Sequence, residues 1–572
     1  MTSADISARS AAQSAETSIR AAQRAERTLA NALANVSSVV QSTVGLPLVT
    51  SHAALGAFPA PVGVSAVQLQ YFTSFNDKGG GIFDWLPGSN VTPVPGMIVG
   101  TYNASTYPGQ WYRRCGDELH SAWFGVRANE STDDTAAMQA AINFAAHKTL
   151  VLDKGVNGGI IIKSKITIAS EMVIRGCARG AVAFIWSGTS SDVMIHVTDA
   201  CANITLQDFS LDNTGAPGVR ASVGLRVDAV RGVIERVQAS GPQAIFDTAC
   251  IQTNPDATVY NVVFRDCYVS SRNPSVKQVC GFKLGRGHTI SLDHCMASCC
   301  AKGAELGGGG GQSILCCNIS GGSEFESQSV YGSSDIGIDC VFVEGLNISG
   351  ACFEMAGDSL VGGENQRAIK LQKVRGGIIA GCYFLGTGVA TADITVASSD
   401  TVGVKIEGNY FDDTDGYAIE ATGDGSLWAQ EIGRNHYNTG NVLGVWDNSF
   451  TPSLSFGGGS TSMTYARAVG RGDRHGKFLT VTIDIELSAK GSSTGSAKIG
   501  GLPSLAVSAQ TQPIALFTSA LTSIVGAVTG FVDPSSHQIQ LFQSGTGSVT
   551  ALAETNFVDN SVITVQATYE VA

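Results

Sequence analysis

The chain has 572 residues, a formal net charge of −12 and a pI near 5.2. Charged residues make up only 15 % and glycines number 68, which excludes a nucleic-acid backbone as the natural partner and favours tightly turned β structure. No apolar run approaches the roughly 20 residues that a membrane-spanning helix needs.

Asp5, Arg9, Glu16 and Arg20 interrupt the first twenty residues, so no secretory core is read there and synthesis in a cytoplasm is expected. The fourteen cysteines are then expected as reduced, small apolar side chains. Residues 4–42 lack Pro and Gly. Their apolar positions, Ala8, Ala12, Ala15, Ile19, Ala22, Leu29, Leu33, Val36 and Val40, step by 4 and 3, with Glu26 the one polar break. That pattern predicts a coiled-coil helix over residues 1–44. Residues 45–123 hold seven of the fifteen Pro and three of the six Trp, dense for a segment of this length, and predict a small neck domain of short strands.

The stretch ANESTDDTAAMQAAINFAAHKTLVLDKG, residues 128–155, predicts one amphipathic helix capped by Thr132 or Asp133. Its apolar stripe is Met138, Ala141, Ile142 and Ala145. Behind it, lines such as NITLQDFSLDN, NVVFRDCYVSS, TISLDHCMASC, LNISGACFEMAG and GVKIEGNYFDDTDG recur at separations of about 25–32 residues, within the range of structural repeats. A repeat of that length with alternating apolar positions predicts stacked strands, a parallel β-helix over 124–454. The helix is expected to cover the open first coil, whose unpaired edge would otherwise invite aggregation. Cys267, Cys295, Cys316, Cys317, Cys352 and Cys382 are expected as an inward stack, with no metal ligands and no cofactor, since paired C-x-x-C spacing is missing. Residues 455–572, with KFLTVTIDIEL and SVITVQATYEV, predict a C-terminal β-sandwich-like domain.

WFGVRANESTDDTAAMQAAINFA, preceded by GGGIFDW and GQWYRR, resembles the start of the pectate-lyase-like domain of phage tailspikes and capsule depolymerases. The segment 465–506 is similar to a small β domain that follows the β-helix in phage tail proteins. RANEST and Cys177 depart from the family pattern. The resemblance implies a right-handed β-helix and a homotrimer in the virion tail, joined to the phage tail or another tail protein through the N-terminal segment. It also implies binding, and often cleavage, of bacterial surface polysaccharide.

Glycoside hydrolysis needs two carboxylates, which stacked coils bring close. Glu324 and Glu326 alternate on one strand. One coil later come Glu354, which the repeat spacing aligns with Glu326, and Asp358, which it aligns with Glu324. These four are the candidate catalytic residues. Arg265, Arg272, Lys283, Arg286, His288 and Tyr331 are the candidate substrate-binding residues, and the basic ones would serve the alternative chemistry, β-elimination on a uronate. A second alternative is a non-catalytic adhesin in which Trp428, Tyr410 and Tyr437 stack on sugars.

Overall fold

The computed structural model describes residues 46–570 except 59–64, 74–77, 101–108, 156, 179, 214–218, 242–245, 254–257, 272–277, 308–312, 327–335, 357–365, 388–389, 413–416, 423–426, 439–442, 445–448, 476–477, 504–511, 534–537 and 546–547. The coiled-coil expectation for residues 1–44 lies outside the described residues. Two compact units are present, Met1–Arg127 and Ala128–Ala572. No helix among the described residues is long and apolar enough to cross a membrane.

In the first unit, a five-stranded sheet encloses Val67, Leu69, Phe83, Val99 and Trp111. Arg113 pins its glycine-rich turn. The guanidinium donates to the carbonyls of Gly79, Gly80 and Gly96 at 2.6–2.8 Å and lies over the rings of Phe83 and Trp123. Burial lowers its pKa to about 9. A Cβ at Gly81 would fall 2.2 Å from the guanidinium, so GGGIFDW has its last glycine for want of room.

The second unit is a right-handed parallel β-helix of three sheets. The first sheet includes the run from Thr149–Leu152 to Glu431–Ile432, the second runs from Asn129–Asp133 to His436–Tyr437, and the third from Ile166–Ile168 to Leu443–Gly444. Successive strands of each sheet pair in parallel, which closes every ladder onto the next coil.

The helix Thr135–Phe144 buries Met138, Ala141 and Ile142, and Ala145 just beyond it is also buried, as the periodicity predicts. Its N-cap is Asp134, one residue beyond Asp133 and two beyond Thr132, the two predicted caps. The reason is a division of labour. Asp133 Oδ1 accepts the Thr135 N–H at 3.0 Å, while Asp134 Oδ2 accepts the Ala128 N–H and Thr132 is tied to Asn129. Gln139 then completes the edge of the third sheet: its amide donates to the Thr167 carbonyl and accepts the Thr167 N–H, both at 2.8 Å. Peptide groups on the first strand of that sheet, which a β-helix leaves unpaired at its start, thus find a side-chain partner.

Alternation puts one residue in two inside each coil. In the second sheet the inner row becomes a stack of rings, Phe325, Phe353, Phe384, Phe411 and Tyr437, with centroids 4.7–5.4 Å apart and planes within 15°. The third sheet makes room with glycine. A Cβ at Gly303 would come within 2.8 Å of Phe325 Cδ1.

All fourteen cysteines are free. Cys267, Cys295, Cys317 and Cys382 are buried, and burial pushes the Cys317 thiol up to about 12. Two of the expected inward cysteines are not inward. Cys316 is exposed in a left-handed backbone conformation, φ 59°, and Cys352 is half-buried on the outer side of its strand. Each sits next to the residue that takes the inner position, Cys317 and Phe353, and in a strand a neighbour points the other way.

From Ser449 to Glu570 the strands are antiparallel. Thr464–His475, Phe478–Ala489, Phe557–Glu570 and Gln512–Leu521 pair side by side, and Val481, Ile483, Ile485, Ile563, Val565 and Tyr569 are buried among them.

Candidate active site

Glu324 and Glu326 flank the buried Phe325 on one strand, so both face outward. The ladder sets Glu326 on Glu354 and Glu324 on Cys352 of the next coil. The expected alignment of Glu326 with Glu354 is therefore met. The alignment of Glu324 with Asp358 is not: Cys352 takes that place in the ladder, and Asp358 lies outside the described residues.

One carboxylate oxygen from each of Glu324, Glu326 and Glu354 falls within 4.8 Å of the others, and all three side chains are half-buried. Burial first, then repulsion from Glu326 and a hydrogen bond with it, hold the Glu324 carboxyl above its ordinary pKa; Glu354 adds to the same direction. The Cys352 thiol is raised too, by burial and then by the charges of Glu324, Glu354 and Glu326. Like charges on facing residues of neighbouring strands cost stability. In chemical terms the trio combines a carboxyl that keeps its proton to higher pH with carboxylates close by, the ingredients of a general acid paired with a nucleophile or base. The same three groups have the oxygen ligands that a divalent cation could use. Register brings them together, by setting Glu354 one coil beside Glu326.

The predicted cations are elsewhere. Arg265 closes a strand of the first sheet and pairs with Asp293 at 3.2 Å. Lys283 belongs to the third sheet and pairs with Glu305 at 3.5 Å. Arg286 is exposed between those two sheets, and His288 stacks on Tyr260 at 5.0 Å in the first sheet. Among the described residues, no strand of the second sheet carries a lysine or arginine. Arg272 and Tyr331 lie outside the described residues.

The outer row that holds Glu324 was only partly legible beforehand. It reads Met296, Glu324, Cys352, Tyr383, Tyr410, His436. Tyr383 and Tyr410 stack at 5.2 Å, and Tyr410 and His436 at 4.7 Å. Both faces of Tyr410 are thereby covered, so it offers no free face to a sugar, and Tyr437 belongs to the inner ring stack, against Phe411. Each member of the row stands immediately before the small or aromatic residue that fills the inner position of its coil, a signal present in the sequence at the strand starts.

No family model matches the chain. It is 31 % identical over 156 residues to depolymerase 1 of Klebsiella phage K5-2, specific for capsules K30 and K69; the match covers 25 % of this chain and 19 % of that protein. The chain thus matches about a fifth of that curated relative's length. Among solved structures, the tailspike protein of Acinetobacter phage vB_ApiP_P1 superposes with a TM-score of 0.50 at 13 % identity, covering 92 % of this chain and 99 % of that one. The Dettilon tailspike protein gives 0.49 at 15 % identity, covering 80 % and 95 %. The resemblance read from the sequence holds at the level of fold: this chain shares the parallel β-helix fold of that tailspike.

Proposed function

We propose that the chain is a virion tail protein that depolymerises a bacterial surface polysaccharide, capsule or O-antigen, by glycoside hydrolysis. Glu324 is the proton donor to the leaving oxygen. Glu326 and Glu354 supply the ionised partner, as nucleophile or as base for water. The observation that carries this reading is the meeting of three carboxylates from consecutive coils within 4.8 Å, with Glu324 held protonated to higher pH. That separation is nearer to the 5–5.5 Å of retaining glycosidases than to the 6.5–9.5 Å of inverting ones. Elimination on a uronate calls for a cation beside the substrate carboxylate. The predicted cations Lys283 and Arg265 are paired on the other two sheets, which disfavours that chemistry.

The relative from Klebsiella phage, named as a capsule-specific depolymerase, supports the substrate class. We further assign residues 1–44 to attachment on the virion or another tail protein and 455–572 to joining three copies in a homotrimer.

The test is product chemistry on purified capsule and O-antigen. New reducing ends without ultraviolet absorbance are expected, at a rate that Glu324→Gln, Glu326→Gln and Glu354→Gln each lower. An absorbing unsaturated uronate would establish elimination instead. Loss of activity in EDTA, restored by a divalent cation, would recast the trio as a metal site.

A further inference from the structure

The outer row of the second sheet continues past the carboxylates. Glu324, Cys352, Tyr383, Tyr410 and His436 occupy five consecutive coils, a length of about 19 Å at the usual strand spacing. The rings lie face to face, so they present edges to solvent: two phenol hydroxyls and an imidazole. Tyr383 is 39 % exposed and His436 is exposed. Beside them, Asp412 accepts from the Tyr383 hydroxyl at 3.1 Å and from the Asn438 amide at 2.6 Å. A carboxylate, an amide and a phenol each keep further donor or acceptor capacity. This is a hydrogen-bonding surface repeated once per coil.

Its charge is one-sided. The second sheet lacks Lys and Arg in every described strand. Residues 303–366 contain nine acidic residues and no Lys, Arg or His. The cations that bound this stretch are committed to the third sheet, Lys302 to Asp339 at 2.7 Å and Glu305 at 2.6 Å, and Arg367 to Glu420 at 3.5 Å. Beside the glutamates, a sugar carboxylate would face like charge with no lysine or arginine on the described strands of this sheet to neutralise it, a juxtaposition that interfaces use to reject wrong ligands; Arg434, exposed two residues before His436, stands off the strands at the far end of the row. An uncharged, hydroxyl-rich chain meets donors and acceptors at each step.

We infer that the second sheet is a track for an uncharged stretch of glycan, running from the glutamates toward the later coils, with Tyr383, Tyr410, His436, Asp412 and Asn438 binding sugars beyond the bond that is cut. Its direction rests on the hydrolase reading of the trio; its chemistry does not.

The full chain is incubated on an array of purified capsular and O-antigen polysaccharides that includes polyuronates and their carboxyl-reduced, neutral forms. Retention is expected on polymers with consecutive uncharged backbone sugars, and carboxyl reduction raises it. Tyr410→Ala and His436→Ala lower retention about tenfold or more and raise KM with kcat little changed. Tyr410→Phe keeps the stack and loses the hydroxyl, so an intermediate loss separates a ligand contact from a folding defect, and the melting temperature of each variant is measured alongside. Retention confined to anionic polymers, retention unchanged in all three variants, or no retention on any polymer overturns the track. Glu326→Gln separates the two readings. If it abolishes cleavage while the tyrosine and histidine variants bind normally, the track fails and the hydrolase stands; if it still cleaves while those variants lose retention, the hydrolase reading fails and the track stands.

Discussion

The outer sides of the second and third sheets are built on the same coils and carry opposite solutions to charge. On the third sheet, acid and base are paired within the chain: Arg226 with Asp228, Lys283 and Lys302 with Glu305, Lys302 with Asp339, Arg367 with Glu420. Asp339 and Glu420 are buried there, at 2 % and 5 % exposure, because partners compensate them. On the second sheet three glutamates face one another and no lysine or arginine stands on any described strand. A fold that pairs charge on one side and leaves like charges together on the adjoining side is tolerating a local cost. Such departures from self-consistency are expected where an outside molecule completes the chemistry.

Making the second sheet resemble the third breaks the comparison most sharply. Met296, half-buried in the outer row, is the ladder partner of Glu324, and Met296→Lys would set an ammonium against the trio. Since positioned acid–base groups contribute about 10²–10⁴-fold, a loss of activity of about that size is expected, with circular dichroism unchanged. A fully active variant would remove the trio from the mechanism.

The inner side of the second sheet sets the next effect. Phe353 is fully buried between Phe325 and Phe384, at 5.4 and 4.9 Å. Phe353→Ala should cost about 3–5 kcal/mol, read as a lower midpoint in denaturant. Both neighbouring coils lose a stacking partner, so activity should fall with it.

On the third sheet, Lys302→Met leaves the Asp339 carboxylate with the Gln372 amide, 2.6 Å away, as its partner among the described residues. Removing one member of a buried pair costs about 3–5 kcal/mol. Lys302 keeps 32 % of its side-chain exposure, so about 2 kcal/mol is the better figure once solvent screening is allowed for. Adding Asp339→Asn should return most of it, because the uncompensated charge goes. If the single variant is as stable as the parent, the pairing on this side contributes nothing and the contrast between the sheets weakens.

Much of this was legible in the residues. The regular recurrence of lines with alternating apolar positions dictates coils, and the TDDTAAMQAAINFA stretch dictates a helix before them, since periods of 2 and 3.6 leave different traces. Glu326 and Glu354 could be matched because both flank a phenylalanine in similar lines. Asp358 was matched to Glu324 by counting alone, and counting does not say where a strand ends and its turn begins. The basic residues misled for a related reason. Arg265, Lys283 and His288 cluster along the chain, but every coil passes through all three sheets, so sequence neighbours are dealt out to different ones. The partners that neutralise Arg265 and Lys283, Asp293 and Glu305, come from the following coil.

The smallest effect concerns acid. Glu324 has a folded-state pKa above the ordinary 4.5, so the folded chain holds its proton where the unfolded chain has released it. Stability then falls as pH rises through the interval from the ordinary value to the raised one, because the folded state binds more protons there. Acidifying from neutral through that interval should therefore stabilise this site, opposite to the usual behaviour of a salt-bridged carboxylate. Glu324→Gln removes the titration, so the difference in melting temperature between parent and variant should shrink as pH drops, with the variant the more stable at neutral pH by less than about 1 kcal/mol. Glu354→Gln relieves the same crowding and should lessen the pH slope without abolishing it. A parent and a Glu324→Gln variant whose melting curves shift in parallel from neutral to acid would mean that these carboxylates are independently solvated, and the charge contrast between the two sheets would then be one of composition alone.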